Sequence, residues 1–497
     1  MISSKRYLQN IFLIMFIFLL SSLPNKLRAK NISKKSEIIF SDNFSSGSWD
    51  TWFSNEEFNN RMKPSFSVDN TIAYEQGGTS LVISGNNNSQ AKGSYRKDIR
   101  KFGVNFVKDN FYKFTVWYAV KNITGINEHV FAAVTWGSVW NTQKLIPVAV
   151  ESQGTFNWIK AERVVKIASN DSKVVIELTA GWLNKQSSVF YGKVIIENLP
   201  DYTPPSRKIN IVTIDSSPPK GSTLLDNRDH YVKQIRKACS ASPNSVDIVC
   251  LPEYFNSWGV VRNNLFDIAV DMDTSAYMKG FKDVAKECST NIVGSVLVLE
   301  NDIPFNTAFL IDRDGKVVDT QRKLHVPMQE YWWGGGRGDE LKVMQADFGK
   351  IGLLVCWDYF LVDPIRTLAL KGADIIFVPI EGDSRQVNGQ KRKAPEYIGI
   401  ASTVQNRIPM VFCFSPINVG RGNQSLMIDR DGTIKGRSNI NKSIVHGEVE
   451  LSKNSDDVFL NFFMDRRPTL HRGINDNSKL ALWKNGSIKY VPNPTIR

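Results

Sequence analysis

A chain of 497 residues is longer than one hydrophobic core usually serves, so a leader and two domains are the natural expectation. Its formal charge of +13 would fit a nucleic-acid or membrane binder, but the surplus is spread as +5, +3 and +5 over residues 1–30, 31–205 and 206–497. No basic block stands out beyond the first thirty residues, which argues against nucleic acid as a partner.

The chain opens with Lys5 and Arg6, followed by the apolar run 11–20 and a small-residue site at Ala29. Residues 1–29 therefore read as an export signal, because the run is shorter than the ~20 apolar residues that a membrane span needs. A secreted, periplasmic or cell-surface protein is expected. Lys26, Arg28, Lys30, Lys34 and Lys35 follow the run and oppose translocation, so an uncleaved N-terminal anchor is the alternative.

Residues 36–200 hold short β-branched and aromatic runs at 111–120, 129–136, 145–150, 174–178 and 189–196, separated by Gly, Asn, Ser and Asp clusters. This spacing predicts an all-β sandwich or jelly roll. Seven of the twelve tryptophans fall here, at Trp49, Trp52, Trp117, Trp136, Trp140, Trp158 and Trp182. Such rings fill cores, and when exposed they stack on sugar faces. Trp136 and Trp140 flank Gly137-Ser138, a turn signal that makes them the expected solvent-facing pair. Ser48-Trp49-Asp50, the Gly77-Gly78 turn and a last strand near 194–197 resemble the galactose-binding-like domain of carbohydrate-binding modules, which implies a glycan or cell-envelope ligand. Pro200 to Ser206 has linker composition and marks the boundary.

From 206 to 497 strands and helices alternate: strands at 209–214, 245–251 and 292–299, helices at 227–239 and 276–287. That pattern predicts an α/β fold. There is an internal echo: the segment 247–252 (DIVCLP) is answered by 374–379 (DIIFVP), and 311–315 (IDRDG) by 428–432 (IDRDG). Two halves of like layout imply two packed sheets with helices outside. The five cysteines, Cys239, Cys250, Cys288, Cys356 and Cys413, all lie here. They are too sparse, and odd in number, for a disulfide-stapled domain, so the core is expected not to rely on bridges.

Cys356 stands where the apolar strand 351–355 gives way to a helix expected over 364–371. A thiolate there gains from the N–H groups of a turn, although a buried structural cysteine fits the same pattern. Glu253, Lys323 and Glu330 lie at or just past other strand ends. A carboxylate able to accept a thiol proton and an ammonium able to hold developing negative charge complete a set sufficient for attack on a carbonyl or nitrile carbon.

Four segments, Leu251-Pro252-Glu253-Tyr254, Arg322-Lys323-Leu324-His325, Gly352 to Asp358 and Pro379 to Arg385, resemble in order and spacing the nitrilase superfamily of carbon-nitrogen hydrolases. The resemblance spans about 210–449. It implies an αββα sandwich, no metal or organic cofactor, a catalytic triad of Glu253, Lys323 and Cys356, a second glutamate at Glu330, and an oxyanion contact from the N–H of Trp357. Asp358 and Arg385 are read as structural. The resemblance further implies an enzyme cleaving a small amide or nitrile to an acid plus ammonia or an amine, and a homodimer or larger oligomer paired through residues 359–371, with Phe360, Leu361, Val362 and Ile365 available. An N-acyltransferase with the same triad and a non-catalytic glycan-binding protein are the competing readings. The β domain and the export signal are departures from the family, and Tyr331-Trp332-Trp333 in the loop 327–338 leaves the substrate open.

Overall fold

The computed structural model describes residues 36–45, 48–53, 63–124, 126–137, 141–154, 156–167, 173–204, 206–242, 244–332, 334–382, 386–387, 390–391, 394–415, 424–439, 441–451, 479–484 and 487–492. The expected export signal at 1–29, Trp140, Trp333 and Arg385 lie outside the described residues. The chain divides into two compact units, Met1–Thr203 with Asn461–Arg497, and Pro204–Leu460. The C-terminal residues thus group with the first unit and not with the α/β segment that precedes them.

The first unit consists mostly of strands: β1 (Glu37–Asp42), β2 (Asp50–Phe53), β3 (Ser65–Asp69), β4 (Ser80–Ser84), β5 (Lys92–Asp98), β6 (Phe111–Lys121), β7 (Val130–Trp136), β8 (Gln143–Lys144), β9 (Ile146–Gln153), β10 (Phe156–Lys166), β11 (Val174–Gly181) and β12 (Ser188–Leu199). A seven-stranded antiparallel sheet runs β3-β4-β12-β6-β10-β9 with β1 on β12, and a five-stranded one runs β2-β5-β11-β7-β8. Strand periodicity explains the packing. Tyr112, Phe114, Val116 and Tyr118 of β6 point into one core with Val174, Ile176, Leu178 and Ala180 of β11. The intervening Trp117 and Ala119 turn to the other face and pack with Trp158.

The same alternation corrects the tryptophan reading. Trp136, opposite Val174 in the β11–β7 register, falls on the inward face and is buried. The turn that follows it at Gly137 does not bring the ring out. Among the described tryptophans of this unit, Trp52 and Trp182 are the exposed ones, at 38% and 45%, with Arg96 and Lys92 over their rings.

The second unit holds β13 (Lys208–Ile214), α1 (Leu224–Ala241), β14 (Ile248–Cys250), α2 (Ala276–Cys288), β15 (Asn291–Glu300), β16 (Ile303–Ile311), β17 (Val317–Arg322), α3 (Met328–Trp332), β18 (Val343–Ala346), β19 (Gly349–Leu353), α4 (Val362–Leu370), β20 (Ile375–Ile380), a small hairpin of β21 (Gln386–Val387) and β22 (Gln390–Lys391), α5 (Ala394–Asn406), β23 (Met410–Phe414), β24 (Leu426–Ile428), β25 (Ile434–Arg437) and β26 (Ile444–Glu450). A further hairpin, β27 (Lys479–Lys484) with β28 (Ser487–Pro492), belongs to the first unit.

Two mixed six-stranded sheets run β17-β16-β15-β14-β13-β26 and β18-β19-β20-β23-β24-β25. In each, three strands are parallel (β13, β14 and β15; β19, β20 and β23), and an antiparallel hairpin follows. The hairpins turn at Gly315 (φ 77°) and Gly432 (φ 86°), where glycine meets the left-handed backbone at no steric cost. The echoed segments thus occupy equivalent places in the two halves. Ile211, Cys250, Val293 and Leu310 of one sheet meet Leu353, Phe377 and Cys413 of the other in a shared core. The opposite faces pack against α1 and α2, with Tyr231 and Phe281, and against α4, with Ile365 and Leu368. Helices therefore flank two sheets, as expected.

β14 is shorter than predicted and β19 ends two residues earlier than predicted, in each case where a carboxylate takes over backbone groups. Residues 245–247 stay outside β14, since Asp247 accepts the N–H of Asn210 at 2.8 Å and pairs with Arg313 at 2.7 Å. β19 stops at Leu353, and the N–H of Val355 donates to Asp358 at 3.1 Å. The helix expected over 364–371 is α4, and a 3₁₀ turn, Cys356–Phe360, precedes it, so the segment 359–371 is not one continuous helix. Leu361 and Val362 are exposed there, but Ile365 is buried against the second sheet and is not available to a partner. All five cysteines are free.

Candidate active site

Strand ends deliver three of the four residues of the candidate site, and a short helix delivers the fourth. Glu253 follows β14, Lys323 follows β17, Glu330 lies in α3, and Cys356 opens the 3₁₀ turn after β19. Glu253, Lys323 and Glu330 are buried. Two charged hydrogen bonds fix the lysine: its Nζ donates to Glu253 Oε1 at 2.9 Å and to Glu330 Oε1. Its main chain is held equally firmly, its N–H donating to the carbonyl of Asn306 at 2.8 Å and its carbonyl accepting from Gly338 at 2.7 Å.

Cys356 is half-buried, and its thiol is hydrogen-bonded to Glu253. Its φ of 44° is a left-handed conformation that costs a side-chain-bearing residue free energy, and such strain concentrates where a turn must present one group. Asp358 over-determines this turn. Fully buried, it accepts from the N–H groups of Val355, Leu324 and His325 and from the His325 ring, at 2.8–3.3 Å. One carboxylate thus ties the residues after Lys323 to the turn that bears the thiol, which agrees with the structural role read from the sequence. Trp357 is the next residue of that turn, its ring against Phe360.

The electrostatics follow from this packing. Burial, and then the charge of Glu253, push the Cys356 thiol well above its ordinary range, against the pull of Lys323. The resting sulfur is therefore protonated. Burial would lower Lys323, but Glu253, Cys356 and Glu330 outweigh it and hold the ammonium charged. Burial raises the Glu330 carboxyl, opposed by Lys323.

Three residues that sequence reasoning did not single out complete the surroundings. Asn306, fully buried in β16, donates from Nδ2 to Glu253 Oε1 at 2.7 Å and accepts from Ser295 Oγ at 3.0 Å. An asparagine inside the apolar run 303–311 was the available signal. Tyr254 donates its hydroxyl to Glu330 Oε2 at 3.2 Å. Glu381, past the end of β20, donates its N–H to Glu253 Oε2 at 2.6 Å, and its carboxyl is pushed up to about 7 by burial and by the charge of Glu253. The internal echo did not point to it, because Glu253 falls there opposite Ile380, one residue short of Glu381.

The comparisons with known proteins agree with this geometry. Residues 211–454 match the family model described as carbon-nitrogen hydrolase. "Probable hydrolase YhcX" of Bacillus subtilis is 37% identical over 137 residues, covering 27% of this chain and 26% of that protein. A citrullinase of Francisella tularensis is 27% identical over 159 residues, 30% of this chain and 55% of that protein. The chain therefore spans from about a quarter to about half of the length of these two relatives. A 2-oxoglutaramate amidase of Bacillus subtilis is 26% identical over 255 residues, 50% of this chain and 92% of that protein. The match begins in β13 and ends just past β26, so it takes in both sheets and every residue of the candidate site. Residues 211–454 thus form a carbon-nitrogen hydrolase domain.

Proposed function

We propose that this protein is an exported hydrolase that cleaves a non-peptide amide, or a nitrile, to an acid plus ammonia or an amine through a thioester on Cys356. The observation that carries this reading is the convergence of Glu253, Lys323 and Glu330 on one thiol. In the proposed reaction with an amide, Glu253 accepts the Cys356 proton as sulfur attacks the carbonyl carbon. Negative charge builds on the carbonyl oxygen, where the Lys323 ammonium and the N–H of Trp357 stabilise it. The amine leaves with the proton that Glu253 held. The same carboxylate then takes a proton from water, whose oxygen attacks the thioester carbon; the C–S bond breaks, the acid departs and the proton returns to sulfur. Glu330 keeps Lys323 placed and charged. The scheme needs neither a metal nor an organic cofactor.

Ammonia release from purified protein, measured over aliphatic and aromatic amides and nitriles, tests the reading. Small and medium amides are expected to turn over faster than nitriles, in keeping with the 2-oxoglutaramate amidase among the relatives. Cys356→Ala is expected to abolish turnover with the fold intact, while Cys413→Ala retains it. Turnover of nitriles alone would overturn the substrate preference, and persistent activity in Cys356→Ala would overturn the mechanism.

The first unit, in this reading, is a galactose-binding-like jelly roll that holds the enzyme near a glycan or cell envelope. Trp52 and Trp182, exposed on it, supply the stacking faces. Exposed Leu361 and Val362 support an oligomer of at least two copies, and a monomeric mass by light scattering at micromolar concentration would refute that.

A further inference from the structure

Four of the five cysteines stand in two pairs. Cys239 lies in the last turn of α1 and Cys288 ends α2, and the two helices pack side by side on the first sheet. Their thiols are hydrogen-bonded to each other, and both residues are only half-buried. One turn away the same helix ends are already clamped by Arg236, whose Nε and Nη2 reach both oxygens of Glu287 at 2.7–3.0 Å. Cys250 and Cys413 form the second pair, with Cys413 Sγ 3.1 Å from the carbonyl of Cys250, but both are sealed between the sheets. Cys356 sits among Glu253, Lys323 and Glu330.

We propose that Cys239 and Cys288 join in a disulfide tying α1 to α2 when the protein meets a thiol oxidant, while Cys250 and Cys413 stay reduced. With oxidised glutathione as the oxidant, the Cys288 thiolate attacks one of its sulfurs. The S–S bond breaks and one glutathione leaves as a thiol. Cys239 then gives up its proton and attacks Cys288 Sγ, releasing the second glutathione; two protein thiols are oxidised and one glutathione disulfide is reduced. Burial raises both cysteines, Cys239 to about 12, but the hydrogen bond from Cys239 and the charge of Arg236 oppose the rise at Cys288, which makes it the first to react. Solvent access separates this pair from Cys250 and Cys413, whose thiols meet no oxidant in the folded chain.

The test incubates full-length protein with excess oxidised glutathione or with dithiothreitol, then alkylates it in denaturant and maps peptides by mass. The oxidised sample is expected to contain a peptide linking Cys239 to Cys288, lighter by two hydrogens than the separate peptides. Its thermal midpoint should lie above that of the reduced sample by roughly 5–10 °C, since the bond closes a loop of about 50 residues in the unfolded chain. Cys239→Ser and Cys288→Ser should each lose the link and the rise. Full alkylation of Cys239 and Cys288 after oxidation, glutathione retained on Cys288 without a link, or a link from either residue to another cysteine would overturn the proposal.

Discussion

Asn306 shows how much of the site depends on a neutral residue. Glu253 Oε1 accepts from both Lys323 and Asn306, and Oε2 from the N–H of Glu381, so the carboxylate is held on both oxygens before any substrate arrives. As the proposed general base, a carboxylate fixed in this way loses little freedom at the moment of proton transfer. Replacing Asn306 by Ala removes one hydrogen bond to a charged group, worth about 1.5–3 kcal/mol, and the expected loss in kcat/KM is about 10- to 100-fold. Circular dichroism unchanged from the parent, with the rate reduced, is the expected pair of results; an unchanged rate would remove Asn306 from the machinery. The strand ends that carry Glu253, Lys323 and Cys356 were legible in the sequence, because the run before each announces where its strand ends, whereas Glu330 lies in α3, seven residues past Lys323, and no strand announces it. Asn306, Tyr254 and Glu381 were not singled out. Asn306 and Glu381 reach Glu253 across 53 and 128 positions of sequence, and Tyr254 reaches Glu330 across 76, and no local pattern encodes that approach.

At the scale of elements, the two sheets are joined by a polar clip as well as by their apolar core. Asp215, just past β13, receives the hydroxyl of Ser425, which precedes β24, at 2.8 Å, and is also hydrogen-bonded to Ser438, which follows β25. Burial, opposed by those hydroxyls, pushes its carboxyl up to about 6 from an ordinary value of 3.8. Below about pH 4 both folded and unfolded chains are protonated there. Between about pH 4 and about pH 6 the folded chain keeps a proton that the unfolded chain releases, so stability falls as pH rises through this window and the loss persists above it. The gap corresponds to about 3 kcal/mol as an upper figure. Asp215→Asn is therefore expected to raise the thermal midpoint at about pH 8 and to leave it unchanged at about pH 4; an equal effect at both values would contradict the assignment. The elements themselves were read well where period and length agreed, as in β6, α2 and β15. β14 was overestimated, and the end of β19 was placed two residues too far on, because Asp247 and Asp358 intercept backbone groups that a propensity argument assigns to the ladder.

On the scale of the whole molecule, the two units have separate apolar cores. A unit with its own core folds on its own as a rule. The fragment Pro204–Leu460 is accordingly expected to fold and to hydrolyse small soluble amides at nearly the full-length rate, while retention on insoluble glycan or cell-wall preparations should follow the first unit and weaken in Trp52→Ala or Trp182→Ala. If the first unit binds none of these materials and the fragment is inactive, the targeting role fails. The change near residue 206 from mostly strands to alternating strands and helices was visible in the sequence, whereas the exposure of Trp52 and Trp182 was not. Facing is set by strand register, and Gly137-Ser138 marks a turn without saying which side of the sheet Trp136 takes.

The pairing of β26 with β13 has a consequence for how the enzyme is made. β13 is the first strand of its sheet to leave the ribosome, and its edge is completed by β26, some 230 residues later. Glu253, Lys323 and Glu330 arise from the earlier half of the unit and Cys356 from the later half, so neither half holds the whole candidate site. While the chain is being synthesised, Cys356 is an ordinary thiol, and it meets those three groups only when the two halves dock. The candidate site is thus a product of the completed fold, and a polypeptide stopped before β19 would carry the two glutamates and the lysine without Cys356 to face them.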